Sequence, residues 1–293
     1  MAFSLTIQSK GLFKAKSINF EELIRNCRLS YGISDAFFVL SEGEREGETA
    51  VLFNPQRIGR GIWYDATHIA EGEVTVSYNI PTTVSEIRDY VRVVKEIKRQ
   101  LRNVCMYCPE EEREYTVEML EAGVDVMAEF SIEKLNDFCR DNTINTLMLS
   151  LARFPWCLDD DKRSLYMTCK DLSDFEETIH NMQTLDVYYA KPALYKMDNG
   201  EIHAFYTLTE DCDSVFPDRA TEKLTLEQVK VDATFIRFYI YSEKRPYDGY
   251  YPYDKFVEFI KSKGATKFDA AHLRIKSITK EEFEEFAKAQ EQQ

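Results

Sequence analysis

The sequence predicts an α+β protein, with antiparallel or mixed sheets and helices packed on one face, built from repeated strand-then-capped-helix units. Three observations carry that prediction. The apolar runs alternate with polar residues, as in EVTVSYNI, whereas strands buried in a parallel sheet run continuously apolar. Capping residues open helical patterns just after those runs. Two stretches read as hairpins: FFVLSEGEREGETAVLF turns through a Gly-rich acidic segment, and ALYKMDNGEIHAFYTL turns through Asp198-Asn199-Gly200.

Taken in order, Phe3, Leu5 and Ile7 alternate in FSLTIQ, and Asn19 with Glu22 caps a helix whose apolar face is Phe20, Leu23, Ile24 and Cys27. EVTVSYNI places Val74, Val76, Tyr78 and Ile80 on one face, and Thr83 to Glu86 forms a capping box after Pro81. VDVMAEF reads as a strand before the helix SIEKLNDFCR, with Ser131 as its cap. LYMTCK reads as a strand before SDFEETIHNM, opened by Ser173 and Glu176. FIRFYIY precedes a tyrosine-rich loop and the helix YDKFVEFI, and HLRIKSI precedes TKEEFEEFAKA, capped by Thr279 and Glu282. The units are unevenly spaced, which argues against a solenoid.

The polar run CPEEEREY predicts a boundary near residue 112, giving an N-terminal α+β subdomain over 1–112 and a C-terminal one over 113–293. With 293 residues, 44% of them hydrophobic and 13% aromatic, the chain can bury a full core as one body or two. Fifty-one acids against 37 bases leave a net charge of 37 − 51 = −14, which disfavours phosphate backbones and anionic membranes. No run reaches the roughly 18 apolar residues of a membrane span, and the opening MAFSLTIQSKGLF lacks an apolar signal core. A cytoplasmic protein with reduced thiols is expected, because seven scattered cysteines do not make a disulfide framework.

Catalytic signatures are missing. Cys105 and Cys108 form a C-x-x-C without a second ligand pair, and read as packed thiols at a helix end. His68, His180, His203 and His272 stand in unrelated contexts, and no H-E-x-x-H, G-x-S-x-G or S-x-x-K accompanies them. Gly59-Arg60-Gly61 is followed by Ile62, Trp63 and Tyr64 in place of a phosphate-cradling helix. The acids Asp159-Asp160-Asp161 and those of EDCDSVFPD read as solvated turns, so neither a cofactor nor a metal is expected. On the helix from Val84 to Val104, Arg88, Arg92, Lys95, Arg99 and Arg102 fall within an arc of about 80°, read as a solvated or internally paired stripe.

Arg245 to Phe256, RPYDGYYPYDKF, is the segment richest in recognition residue types. Tyr247, Tyr250, Tyr251 and Tyr253 cannot all bury their hydroxyls in so short a stretch, so at least one ring is expected at the surface. Arg245, Tyr247, Tyr250 and Tyr251 are therefore the candidate partner-binding residues, since tyrosine and arginine are enriched at binding hot spots. A loop packed by its own rings is the alternative.

Through FSLTIQSKGLFKAKSINFEELI and FIRFYIYSEKRPYDGYYPYDKF, the whole chain resembles an uncharacterised bacterial family of similar length. That resemblance implies a bacterial, cytoplasmic protein without an assigned activity, and carries no catalytic residue over. Two functions stand: a non-enzymatic module, of immunity or adaptor type, that meets a protein partner through the tyrosine loop, with no membrane or nucleic-acid role; or a hydrolase or transferase whose site joins the acids of EDCDSVFPD to His203.

Overall fold

The computed structural model describes residues 1–10, 17–141, 147–221, 223–224 and 229–291; residues 11–16 of the opening motif lie outside them. The described chain divides into two compact units, one of residues 1–156 and 160–185, the other of residues 157–159 and 186–293. The architecture is mixed α+β.

In the first unit, β1 (Ala2–Ser9), β2 (Ser30–Ser34), β3 (Leu40–Glu42), β4 (Thr49–Phe53), β5 (Ile62–Asp65), β6 (Glu73–Asn79), β7 (Val104–Cys108) and β8 (Arg113–Tyr115) form one sheet. Its order is β3-β2-β4-β5-β6-β1-β7-β8, and its neighbours pair antiparallel. Alternation works as expected: Phe3, Leu5 and Ile7 are buried under the helices α1 (Phe20–Cys27) and α2 (Val84–Leu101), while Gln8 is exposed. The Asn19 and Thr83 side chains accept the Glu22 and Glu86 amides at 3.0 and 3.1 Å, as their caps require. The remaining helices of this unit are α3 (Val117–Ala122), α4 (Val124–Arg140), α5 (Asp160–Tyr166) and α6 (Ser173–Gln183). Strands β9 (Leu147–Leu149) and β10 (Trp156–Leu158) make a two-stranded pair.

Among the described residues the second unit holds two larger sheets, a two-stranded ribbon and two helices. β11 (Tyr188–Tyr189), β14 (Ser214–Pro217), β20 (Thr266–Lys267) and β21 (His272–Ile275) run in the order β11-β14-β21-β20. β12 (Ala193–Lys196), β13 (Ile202–Thr209), β17 (Ala233–Ile240) and β18 (Arg245–Pro246) run in that order, and β19 (Tyr251–Pro252) also pairs with β17. β15 (Lys223–Leu224) and β16 (Val229–Lys230) form a short ribbon. The sheets are mixed, because β13 and β17 run parallel and so do β11 and β14. Helices α7 (Tyr253–Ser262) and α8 (Lys280–Glu291) bury Phe256, Ile260, Phe283 and Phe286 against Ile236, Phe238 and Ile240. The α8 capping box is reciprocal: Thr279 Oγ1 accepts the Glu282 amide, and Glu282 Oε2 accepts the Thr279 amide.

Several expectations differ from the structure. VDVMAEF is the first half of α4, because Val124, Met127 and Ala128 pack at helical spacing on the core. Ser131 lies buried inside that helix, where its hydroxyl accepts the Thr82 amide, and caps nothing. LYMTCK forms no strand: Leu165 and Tyr166 end α5. Ser173 is the first helical residue of α6, and its amide donates to Asp171 Oδ1. β3 and β4 flank β2 instead of pairing as a hairpin, since the unread strand SYGIS inserts between them. The second expected hairpin is present, with β12 and β13 antiparallel through Gly200 at φ +89°. Glu112, the expected boundary, lies between β7 and β8, whose strands pair with each other inside the first unit.

A candidate binding face on the second unit

The parallel register of β13 and β17 sets Phe205 beside Phe235 and Thr207 beside Arg237, while β12 sets Tyr195 opposite His203. Tyr206, Leu208, Ile236 and Phe238 point into the core. By the two-residue repeat of a strand, Tyr195, His203, Phe205, Phe235 and Arg237 share the opposite face. Phe205, itself buried, is the hub: Phe235 stacks on it at 5.3 Å and 25°, and Tyr195 meets it edge-on at 5.4 Å. The Arg237 guanidinium sits 5.0 Å from the Phe205 ring and 5.6 Å from the Tyr195 ring.

The tyrosine loop divides between the two faces of this sheet. Tyr250 crosses to the aromatic side, edge-on to Phe205 at 5.4 Å and to Phe235 at 4.9 Å, and stays 56% exposed. Tyr251 turns into the core against Phe283 and Phe286, and half-buried Tyr247 leans on Phe283. Buried Tyr253 donates its hydroxyl to Pro217 O at 2.8 Å. Gly249, at φ +103°, supplies the left-handed turn that separates the directions of Tyr247 and Tyr250. Arg245 remains exposed, with its guanidinium spent on Glu243 at 2.7 and 2.8 Å. Of the four candidate residues, Tyr250 alone lies in the ring cluster around Phe205. Tyr195, Phe205, Phe235 and Arg237 are the members that loop composition does not reveal.

Arg237 distinguishes this face. Its Nε is buried and, among the described residues, without a hydrogen-bond partner. In a chain with 51 acids, a buried guanidinium nitrogen without a hydrogen-bond partner is an exception.

Elsewhere the polar groups serve each other. An apolar pocket of about 590 Å³ in the first unit lies among Tyr78, Met119, Val126 and Phe130, but its polar corner is closed by the pair Arg113 and Glu111, with Tyr115 donating to Glu111 at 2.6 Å. A polar cleft of about 930 Å³ holds Arg57 paired with Glu176 at 3.3 Å, and His180, whose Nδ1 accepts the Ile58 amide. Arg60 is buried and clamped on Ser150 and Pro81, while Glu86 accepts the amides of Arg60 and Gly61 and the Thr82 hydroxyl. Burial pushes that carboxyl above its ordinary range. Gly59-Arg60-Gly61 is thus a strut between β5 and α2. Of the basic stripe on α2, Arg92 pairs with Asp89, Lys95 with Glu121, and Arg99 with Glu96 and Glu22. Cys105 and Cys108 lie on β7, where a three-residue step puts them on opposite faces.

The acids and histidine of the enzyme reading do not converge. His203 bonds Glu201 at 3.0 Å, whereas Glu210 is held by Ser242 and Asp213 by Arg274 and the Ser277 amide. A different cluster does form. Asp269 accepts from His272 Nδ1 at 2.8 Å and from the Cys157 amide at 3.0 Å, and Tyr189 bonds His272 Nε2 at 2.9 Å. Burial, with Asp269 and Asp218 nearby, pushes the Cys157 thiol up to about 12, so it is no nucleophile near neutral pH.

Fold and face together define an α+β protein with an aromatic, arginine-bearing sheet surface. The chain belongs to the family described as a domain of unknown function (DUF4299), whose pattern spans residues 2–286. Nothing among curated proteins or solved structures matches it. No described helix is long and apolar enough to cross a membrane.

Proposed function

We propose that this is a non-enzymatic protein-binding module, of immunity or adaptor type, whose docking surface is the aromatic face of the second unit. The single observation that carries the reading is Arg237, a partly buried guanidinium framed by Phe205 and Tyr195 with an unused donor. A partner that sets a backbone carbonyl or carboxylate on Arg237 and an apolar or cationic side chain between Tyr195 and Tyr250 satisfies both features. Exposed tyrosines over a buried phenylalanine offer large contact area with few rotors to immobilise. The net charge of −14 favours a protein over a nucleic acid on these rings, since phosphates are repelled before stacking begins.

The test is quantitative affinity purification from host lysate with wild type and with Tyr195→Ala/Tyr250→Ala, both confirmed folded, with and without nuclease. A protein retained by wild type, resistant to nuclease and lost with the double variant supports the module. Equal capture by both, or retention that nuclease abolishes, overturns it.

A further inference from the structure

The Cys157, Asp269 and His272 cluster belongs to none of the surfaces considered above. Its donors are a thiol, a carboxylate and an imidazole, and one ligand atom from each lies within 4.8 Å of the other two. Cys157 and Asp269 are buried and His272 is partly exposed, so the cluster is walled by protein and opens to solvent on the imidazole side. Its residues come from chain segments 112 positions apart, joined by the Cys157 amide on Asp269 and by the Ala270 amide on the Cys157 carbonyl at 3.0 Å.

We infer that Cys157, Asp269 and His272 form a binding site for one divalent cation of the zinc class. Four-coordinate zinc takes sulfur, nitrogen and oxygen ligands at roughly 2.0–2.3 Å, which places neighbouring ligand atoms about 3.3–3.8 Å apart. The cluster therefore needs to tighten by about 1.5 Å at most to close on an ion. The mixed donor set excludes calcium and magnesium, which want several oxygens, and suits zinc or cobalt(II). Three protein ligands leave a fourth position for water on the open side.

Electrostatics point the same way. The Asp269 side chain is fully buried between a thiol and an imidazole, and accepts from the Cys157 and Ala271 amides and from His272 Nδ1. A cation there neutralises the carboxylate and takes the place of the thiol proton. The exchange balances as Cys–SH plus M²⁺ giving Cys–S–M⁺ plus H⁺, with the proton passing to solvent and no oxidant needed. The ion also ties Cys157 to the loop before β21, both of the second unit, which stabilises that unit by mass action.

The experiment is cobalt(II) titration of the chelator-treated full chain, followed by thiolate-to-cobalt charge transfer and the visible bands, with calorimetry in two buffers to count protons. The expected result is saturation at one equivalent, about one proton released per ion, a raised Tm, and displacement of the cobalt by zinc. Cys157→Ser should lose the charge-transfer band, and His272→Gln should weaken binding at least tenfold while circular dichroism stays unchanged. Cys105→Ser/Cys108→Ser should bind as wild type does. The site is refuted if no charge transfer develops by one equivalent, or if the band survives Cys157→Ser and His272→Gln and vanishes with Cys105→Ser/Cys108→Ser. Should Cys157→Ser not fold, His272→Gln decides: unchanged affinity overturns the site.

Discussion

Three alanine substitutions within five residues separate packing from presentation. Tyr251 is buried with its ring on Phe283 and Phe286, so Tyr251→Ala removes a large core side chain, and about 3–5 kcal/mol of stability should go with it. Tyr250 is more than half exposed and keeps two edge-on contacts, with Phe205 and Phe235. Each such contact contributes about 0.5–1.5 kcal/mol when fully packed, so Tyr250→Ala should cost about 1 kcal/mol, discounted for exposure. Tyr247→Ala, with a single ring contact on Phe283, should fall between them. Trp63 and Trp156 both lie in the first unit and do not report this region. The assay is therefore native-state hydrogen exchange of β17 amides alongside urea denaturation followed by circular dichroism. Equal losses for Tyr250→Ala and Tyr251→Ala would show that Tyr250 is a packing residue, and the docking face would lose its rim.

Other outcomes follow from the first unit. Glu86→Ala removes the acceptor of the Arg60 and Gly61 amides and leaves the Arg60 guanidinium buried without its counter-charge, so about 3–5 kcal/mol should be lost by urea denaturation. Gly61→Ala forces a side chain into φ +91° with its Cβ 2.5 Å from Val51 Cγ1, and should cost more than about 2 kcal/mol in the same assay. Hydrogen bonds from Arg99, then from Gln100 and Asn26, hold the Glu96 carboxyl at about 2, below its ordinary 4.5. A depressed carboxyl stabilises the fold above its unfolded value, so this contribution is present above about pH 4.5 and lost as pH falls towards 2. Because Arg99 is half exposed, screening reduces it to about 1–2 kcal/mol, and Glu96→Gln should flatten stability against pH in that window.

The elements that were legible are those where local chemistry and tertiary packing agree. Asn19, Thr83 and Thr279 cap the helices their spacing predicts, and the alternation of Phe3, Leu5 and Ile7 names the buried face of β1. α4 reads as a strand from sequence because Val124, Val126 and Ala128 alternate, whereas in the fold Val124, Met127 and Ala128 pack on the core at helical spacing and Val126 is exposed. β2 was missed because SYGIS carries few apolar residues, and its absence made β3 and β4 look like a hairpin. Residue type alone pointed to an exposed tyrosine, and Tyr250 is one. Alternation names the two faces of β13 and β17 but not which one the helices cover, so Phe205 and Arg237 were invisible as a site. Cys157 and His272 meet only through long-range folding, which no local spacing encodes.

The central claim is tested most directly by placing a photo-crosslinking amino acid at position 195 or 250, with position 126 on α4, exposed in the first unit, as control. A single protein crosslinked from 195 and 250 but not from 126, with the adduct weakened by Arg237→Gln, is the expected result. Adducts from 126 alone, or adducts at 195 and 250 made only to nucleic acid, would contradict it.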